Sequence, residues 1–165
     1  MRPIPFLLLA LFALSAPSRA ENDVMASIQP DAEINSPSLF SSDLTLYALS
    51  LNGTHYKYGG RNPETGLDCS GFVGHVFQES AGIKLPASAS AISKVGKKIG
   101  VEELKPGDLV FFNTLRRAFS HVGIYLGNNQ FIHASSSKTG DVMISDMNER
   151  YWSRRFNGAR RVDSP

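Results

Sequence analysis

The stretch His121-Val122-Gly123-Ile124-Tyr125-Leu126-Gly127-Asn128-Asn129-Gln130-Phe131-Ile132-His133-Ala134 decides the fold class. Val122, Ile124 and Leu126 alternate with His121, Gly123 and Tyr125, the period of two that marks a strand with one apolar face. Gly127-Asn128-Asn129 supplies turn residues, and Gln130 to Ala134 reads as the return strand. Upstream, the turn Lys105-Pro106-Gly107-Asp108 leads into a strand over Leu109 to Asn113. Downstream, Val142 to Ser145 and Gly158 to Val162 read as strands, with a helical turn near Asn148 to Ser153. The pattern before these is helical. Asp43, Leu44, Leu46, Tyr47 and Leu51 suggest a short amphipathic helix closed by Asn52-Gly53. From Asp68 onward Phe72, Val73, Val76 and Phe77 keep helical spacing until Gly82. His55 to Leu67 is loop-like, and a short helix follows Pro86. Helices first and an antiparallel sheet second predict an α+β domain, with N-terminal helices packed on the apolar face of a central sheet.

The chain has 165 residues, 42% of them hydrophobic and 19% charged. One compact domain fits that length, and a wholly disordered chain is excluded. The balance of 17 basic and 15 acidic residues is too even for a general nucleic-acid binder. Met1 to Ala20 reads as a signal peptide, with Arg2 at the start, an apolar run from Phe6 to Leu14, and Ser18-Arg19-Ala20 at the cleavage site. The run is shorter than the roughly 20 residues that span a bilayer, so no transmembrane segment is expected after cleavage. No cysteine follows it, where a lipid anchor would need one. Cleavage removes Arg2 and Arg19 and no acid, so the net charge of +2 belongs to the export signal. Residues 21–41, with Pro30 and Pro37 and no Lys or Arg, read as a flexible linker. The folded domain is expected over 42–165, as a monomer that is periplasmic or secreted and not a lipoprotein.

Cys69 is the single cysteine, which excludes an intrachain disulfide framework and any multi-thiolate zinc site. It follows Asp68 at the start of a predicted helix, where unpaired N–H groups and the helix dipole favour an anion. The expectation is a lowered thiol pKa and a nucleophilic thiolate. A buried small hydrophobe is the competing reading, and position alone leaves both open. Of the four histidines, His55 lies in a loop. His75 lies six residues along the cysteine's helix, where about 100° per residue turns it away toward the surface. His121 and His133 sit on the two strands of the hairpin. If Gly127-Asn128-Asn129 is a three-residue loop, Leu126 faces Gln130 and Gly123 faces His133. His121 is then a diagonal neighbour of His133 on the same face, about 7 Å away. A two-residue loop would shift the register and separate the histidines.

Cys69, His121 and His133 can serve as nucleophile, base and the group that holds the base in its tautomer. Backbone N–H groups at the helix start, with Tyr56 as a candidate side-chain donor, can hold an oxyanion. One thiolate and two imidazoles could also bind zinc. No two of them occur at the short spacings of zinc motifs, so no metal and no cofactor is expected. Arg150, Arg154, Arg155, Arg160 and Arg161 invite an anionic-partner reading, but a solvated helix and strand edge with local ion pairs is the ordinary outcome.

The chain resembles the NlpC/P60 family of cell-wall peptidases from about Leu44 to Val162. The segments that carry the resemblance are Tyr56-Lys57-Tyr58-Gly59-Gly60, Gly66-Leu67-Asp68-Cys69-Ser70-Gly71-Phe72-Val73, Leu85-Pro86, Leu104 to Phe112, His121 to Gly127 and Asn129 to Ser135. Met147-Asn148-Glu149, Tyr151-Trp152 and Arg160-Arg161-Val162 are similar to its Spr (MepS) murein endopeptidase branch. The resemblance implies a papain-like α+β fold and hydrolysis of amide bonds in peptidoglycan stem peptides, either D-glutamyl–diaminopimelate or D-alanyl–diaminopimelate. It places Cys69, His121 and His133 in the catalytic roles. It puts Tyr56, Asp68, Ser70 and Ser88 at the oxyanion and substrate. Asp68 has a second reading as a plain helix cap. Two departures bear on the substrate subsite: Ala87 stands where relatives often carry Arg, and Ile92 where a Gln is common. Two rivals on the same fold are a catalytically silent wall-binding module and a thiol acyltransferase.

Overall fold

The computed structural model describes residues 37–115, 117–135 and 140–163. The expected signal peptide and the linker up to residue 36 lie outside them. Helix α1 spans Pro37–Ser50. It starts before Ser42 because proline is well tolerated in the first turn of a helix, so residues 37–41 of the expected linker are helical. A two-stranded ribbon, β1 (Arg61–Asn62) and β2 (Gly66–Leu67), leads into α2 (Cys69–Ala81). Asp68 caps α2 by accepting the Gly71 N–H, and Gly82 closes it at φ 67°, a left-handed conformation that suits glycine. The predicted helical stripe, Phe72, Val73, Val76 and Phe77, is fully buried. A short helix α3 (Ala89–Ile92) follows.

The sheet contains β3 (Lys97–Ile99), β4 (Leu109–Phe112), β5 (His121–Gly127), β6 (Gln130–Ala134), β7 (Val142–Asp146) and β8 (Phe156–Arg161), with α4 (Arg150–Ser153) before β8. Their order is β3-β8-β4-β5-β6-β7, and every pairing is antiparallel. Strand β3 escapes sequence reading because it is a three-residue edge strand: Lys97 and Lys98 are exposed and only Ile99 is buried. The sheet is buried on both faces. Leu109, Phe111, Val122, Ile124 and Ile132 pack on Leu44, Phe72 and Phe77 of the helices, as the alternation predicts. The face carrying His121, Gly123 and Tyr125 is not open and polar. Phe112 and Phe131 make it apolar, and Met147 and Trp152 pack over it, Trp152 from α4.

The hairpin reaches the predicted register by a different route. Asn128 (φ 50°) and Asn129 (φ 60°) form a two-residue turn with both residues left-handed, and Gly127, not Leu126, pairs with Gln130. The ladder then skips Leu126 and resumes at Tyr125 opposite Phe131 and Ile124 opposite Ile132. This bulge, with Gly127 at φ 98°, offsets the shift a two-residue turn would impose. Gly123 and His133 therefore sit side by side: a Cβ on Gly123 would stand 3.1 Å from the His133 Cβ.

Three of the clustered arginines are tied into the fold. Arg161 makes a two-pronged contact with the buried Asp108 carboxylate (2.8 and 2.7 Å) and donates to the Glu103 carbonyl (2.7 Å). Arg160 donates to the Ser93 carbonyl, and Arg155 lies over the Tyr151 ring at 3.9 Å.

The start of α2 rests on the glycine loop with no space between them. A Cβ on Gly71 would lie 1.9 Å from the Gly60 carbonyl oxygen, a backbone atom that cannot swing away, whereas one on Gly74 would meet nothing within 4 Å. Gly71→Ala is expected to lose about 3 kcal/mol or more. Gly74→Ala on the same helix should gain roughly 0.5–1 kcal/mol. Urea denaturation of the two variants checks both signs.

Candidate active site

Asp68 builds the helix start. Its Oδ1 accepts the Gly71 N–H (2.7 Å) and the Ser70 hydroxyl (2.9 Å), and its Oδ2 accepts the Gly59 N–H (3.0 Å). Its carbonyl takes the Phe72 N–H. The N–H groups of Cys69 and Ser70 remain, and together with the Val122 N–H, at the second residue of β5, they favour the charged form of the Cys69 thiol.

One residue back on β5, the His121 ring turns to the opposite face of the sheet. His121 Nε2 lies 2.8 Å from His133 Nδ1, with the rings at 82°. His133 Nε2 lies 3.0 Å from Ser145 Oγ on β7. Trp152 stacks on His121 at 5.5 Å, and Phe131 stacks on His133 at 4.8 Å. With Nε2 at His133, Nδ1 is the other His121 ring nitrogen. Of the three predicted residues, Cys69 and His121 line one cleft and His133 stands behind His121. Ser145 and Trp152 complete the group, and neither carries a signal in spacing or composition.

Tyr56, Asp68, Cys69, Ser70, Ser88 and His121 line one cleft. Several of them also have structural partners. The Ser70 hydroxyl lies between Asp68 and the Ala87 carbonyl (3.1 Å), and Ser88 caps α3 by accepting the Ala91 N–H. His75 turns away from Cys69 as predicted, but it is half-buried and bonded to the Tyr47 hydroxyl (3.1 Å), where the sequence suggests a surface residue. His55 is an exposed loop residue 3.8 Å from Asp141. Among the described residues, no group of three or more His, Cys, Asp or Glu side chains is placed to hold a metal ion.

The family model of NlpC/P60 matches residues 53–161. The chain belongs to the NlpC/P60 family. Murein DD-endopeptidase MepS/Murein LD-carboxypeptidase of Escherichia coli K12 is 50% identical over 113 residues, 67% of this chain and 56% of that protein. Gamma-DL-glutamyl hydrolase of Bacillus subtilis 168 is 46% identical over 113 residues, 68% of this chain and 27% of that protein. The chain therefore spans about half of the first relative and about a quarter of the second. A solved NLP/P60-family structure from Staphylococcus aureus has a TM-score of 0.67 at 34% identity, covering 76% of this chain and 42% of that one.

Within this NlpC/P60 domain, the two departures differ in weight. Ile92 is fully buried in the core and so is no subsite residue. Ala87 lines the cleft, and the guanidinium nearest its backbone is that of Arg61, which donates to the Ala87 carbonyl (2.9 Å). The protonation states also depart from the sequence reading. Burial, with the adjacent Asp68 charge, pushes the Cys69 thiol up to about 11, and the three backbone donors only partly oppose this. Burial pushes His121 down to about 4, against the pull of Asp68. Burial and then the neighbouring His121 push His133 lower still. These directions favour a neutral thiol beside a neutral imidazole, opposite to the expected lowering of the thiol, because burial outweighs the helix start.

Both histidines bind a proton near pH 6.5 when unfolded and stay neutral in the fold. Their contribution to stability is present above about pH 6.5 and is lost as the pH falls toward 4. His133→Gln removes one of these groups and keeps an acceptor for the His121 N–H. Between pH 6 and 4 its unfolding free energy should fall less steeply than that of the parent, by about 1.4 kcal/mol per pH unit. Urea titrations across that range measure the two slopes.

Proposed function

We propose that the protein is a cysteine peptidase that hydrolyses amide bonds in the stem peptides or crosslinks of peptidoglycan. The observation that carries this reading is that Cys69, at a helix start, and His121 line one cleft, with the buried His133 behind His121 at 2.8 Å. In the reaction, His121 Nδ1 takes the Cys69 proton as the sulfur attacks the scissile carbonyl carbon. Negative charge moves to the carbonyl oxygen, where the Cys69 and Ser70 N–H groups and Tyr56 are the available donors. The C–N bond then breaks, and the imidazolium returns its proton to the leaving amine. Water, deprotonated by the same nitrogen, attacks the thioester and releases the acid, which restores the thiol.

The relatives support the substrate class, and their names cover three activities. One is a DD-endopeptidase with an LD-carboxypeptidase activity, and the other a gamma-DL-glutamyl hydrolase. D-Alanyl–diaminopimelate and D-glutamyl–diaminopimelate, the bonds the family resemblance implies, are the two to test. A periplasmic or secreted location belongs to the same proposal. The signal-like residues 1–20 support it, and so does a substrate that lies outside the cytoplasm.

Digestion of purified sacculi and of defined muropeptides, with products identified by mass, tests the reading. Wild-type protein should release fragments cut at one of the two bonds. Cys69→Ala should release them at least about a thousandfold more slowly. A Cys69→Ala protein that still cuts at the wild-type rate overturns the assignment. Products carrying an acceptor other than water would instead mark a thiol acyltransferase.

A further inference from the structure

We propose that Ser145 is a positioning residue that determines which nitrogen of His121 is free to take the thiol proton. The proposal rests on the reading of His121 as the base.

His121 and His133 are buried side by side, His133 completely, and each neutral ring carries one N–H. A single proton therefore lies between His121 Nε2 and His133 Nδ1, and it belongs to one ring or the other. In the first arrangement His121 donates from Nε2, His133 accepts at Nδ1 and donates from its own Nε2 to Ser145 Oγ. His121 Nδ1 then carries a lone pair and can receive the proton of Cys69. In the second, His133 donates from Nδ1, Ser145 donates to His133 Nε2, and His121 carries its proton on Nδ1. That arrangement has no base facing the sulfur. The two differ only in where three protons sit, so a modest energy difference selects between them.

Ser145 supplies that difference. Its Oγ, 3.0 Å from His133 Nε2, is the acceptor that the first arrangement needs. Its own proton has other outlets, because Ser145 borders a second pocket, lined also by Thr114, His121, Glu149 and Tyr151. Without the hydroxyl, the first arrangement takes the side-chain acceptor from a buried N–H, and the Ala134 carbonyl is the one backbone group acting on that ring. The second leaves a bare ring nitrogen, the milder loss, since unsatisfied buried donors are the rarer of the two in proteins. Ser145→Ala therefore moves the shared proton onto His133 and disables the base. The effect reaches the reaction through His133, with no contact to substrate.

The test uses the full chain with isotopically labelled histidines. Long-range ¹⁵N–¹H correlation spectra report which ring nitrogen is protonated, independently of any substrate. In the parent, both His121 and His133 should carry the proton on Nε2. In Ser145→Ala, His121 should carry it on Nδ1. On a defined muropeptide kcat should fall about ten- to a hundredfold with KM unchanged. Ser145→Thr, which keeps the hydroxyl, should restore Nε2 protonation and most of the rate. If Ser145→Ala does not fold, Ser145→Cys offers only a weak acceptor and receives the same measurements. A His121 that keeps its Nε2 proton in these variants overturns the proposal whatever the rate does, and so does a moved proton without loss of kcat. A parent protein that cuts no muropeptide would count against the hydrolase reading, and the spectra alone would then decide the role of Ser145.

Discussion

The hydrogen bond between His121 Nε2 and His133 Nδ1, 2.8 Å long and closed off from water, constrains the rest of the structure. The two rings meet only if β5 and β6 hold one register, and Gly123 must leave the space between them. A Cβ there would stand 2.7 Å from the Phe131 ring and 3.1 Å from His133. Two neutral imidazoles without solvent also need a surround that accepts their faces. Trp152 and Phe131 provide it, with Trp152 brought over by α4. The remaining ring nitrogen needs a partner, which draws the third strand, β7, into the site through Ser145. A pair of side chains thus specifies a turn, a bulge, a glycine, a covering helix and a neighbouring strand.

Strand β5 joins this arrangement to the nucleophile. Alternation puts neighbouring residues on opposite faces, and the site uses both faces. The Val122 side chain packs in the core beneath the helices while its N–H favours the charged form of the Cys69 thiol. The His121 side chain, one residue earlier, turns to the aromatic face. The helix start and the imidazole pair come from different layers, and the pleat of one strand brings them together.

What the sequence shows of this depends on how local each cause is. Asp68 as a cap, Gly82 as a stop and the stripe from Phe72 to Phe77 are local, and each stands where the residues place it. The hairpin is half local. Its turn residues announce a reversal, but whether Leu126 pairs or bulges is settled by packing on both sheet faces. The strand Lys97–Ile99 has no apolar alternation and exists because β8 offers it an edge. Ser145 and Trp152 lie far along the chain from the residues they support, so only the assembled sheet shows that they belong to the site. His75 reads as a surface residue until α1 brings the Tyr47 hydroxyl to it.

The thiol shows how a correct local argument is overruled by magnitude. A helix start favours a nearby anion by about 0.3–1 kcal/mol, and by about 2 in favourable partly buried sites. That is about one pKa unit or a little more. Burial can move a group by as much as about 3–5 units. The same Asp68 that caps α2 adds its own repulsion to a thiolate next to it. At the thiol, burial and the Asp68 charge together outweigh the helix start. The helix start can still serve a negative charge that arises on the carbonyl oxygen of a bound substrate, for which the Cys69 and Ser70 N–H groups are the donors in the proposed reaction. In the proposed reaction the proton thus stays on sulfur until a carbonyl is in reach. It then crosses to His121 as the charge moves onward to oxygen, so the neutral resting pair and the anion-binding helix start are compatible parts of one mechanism.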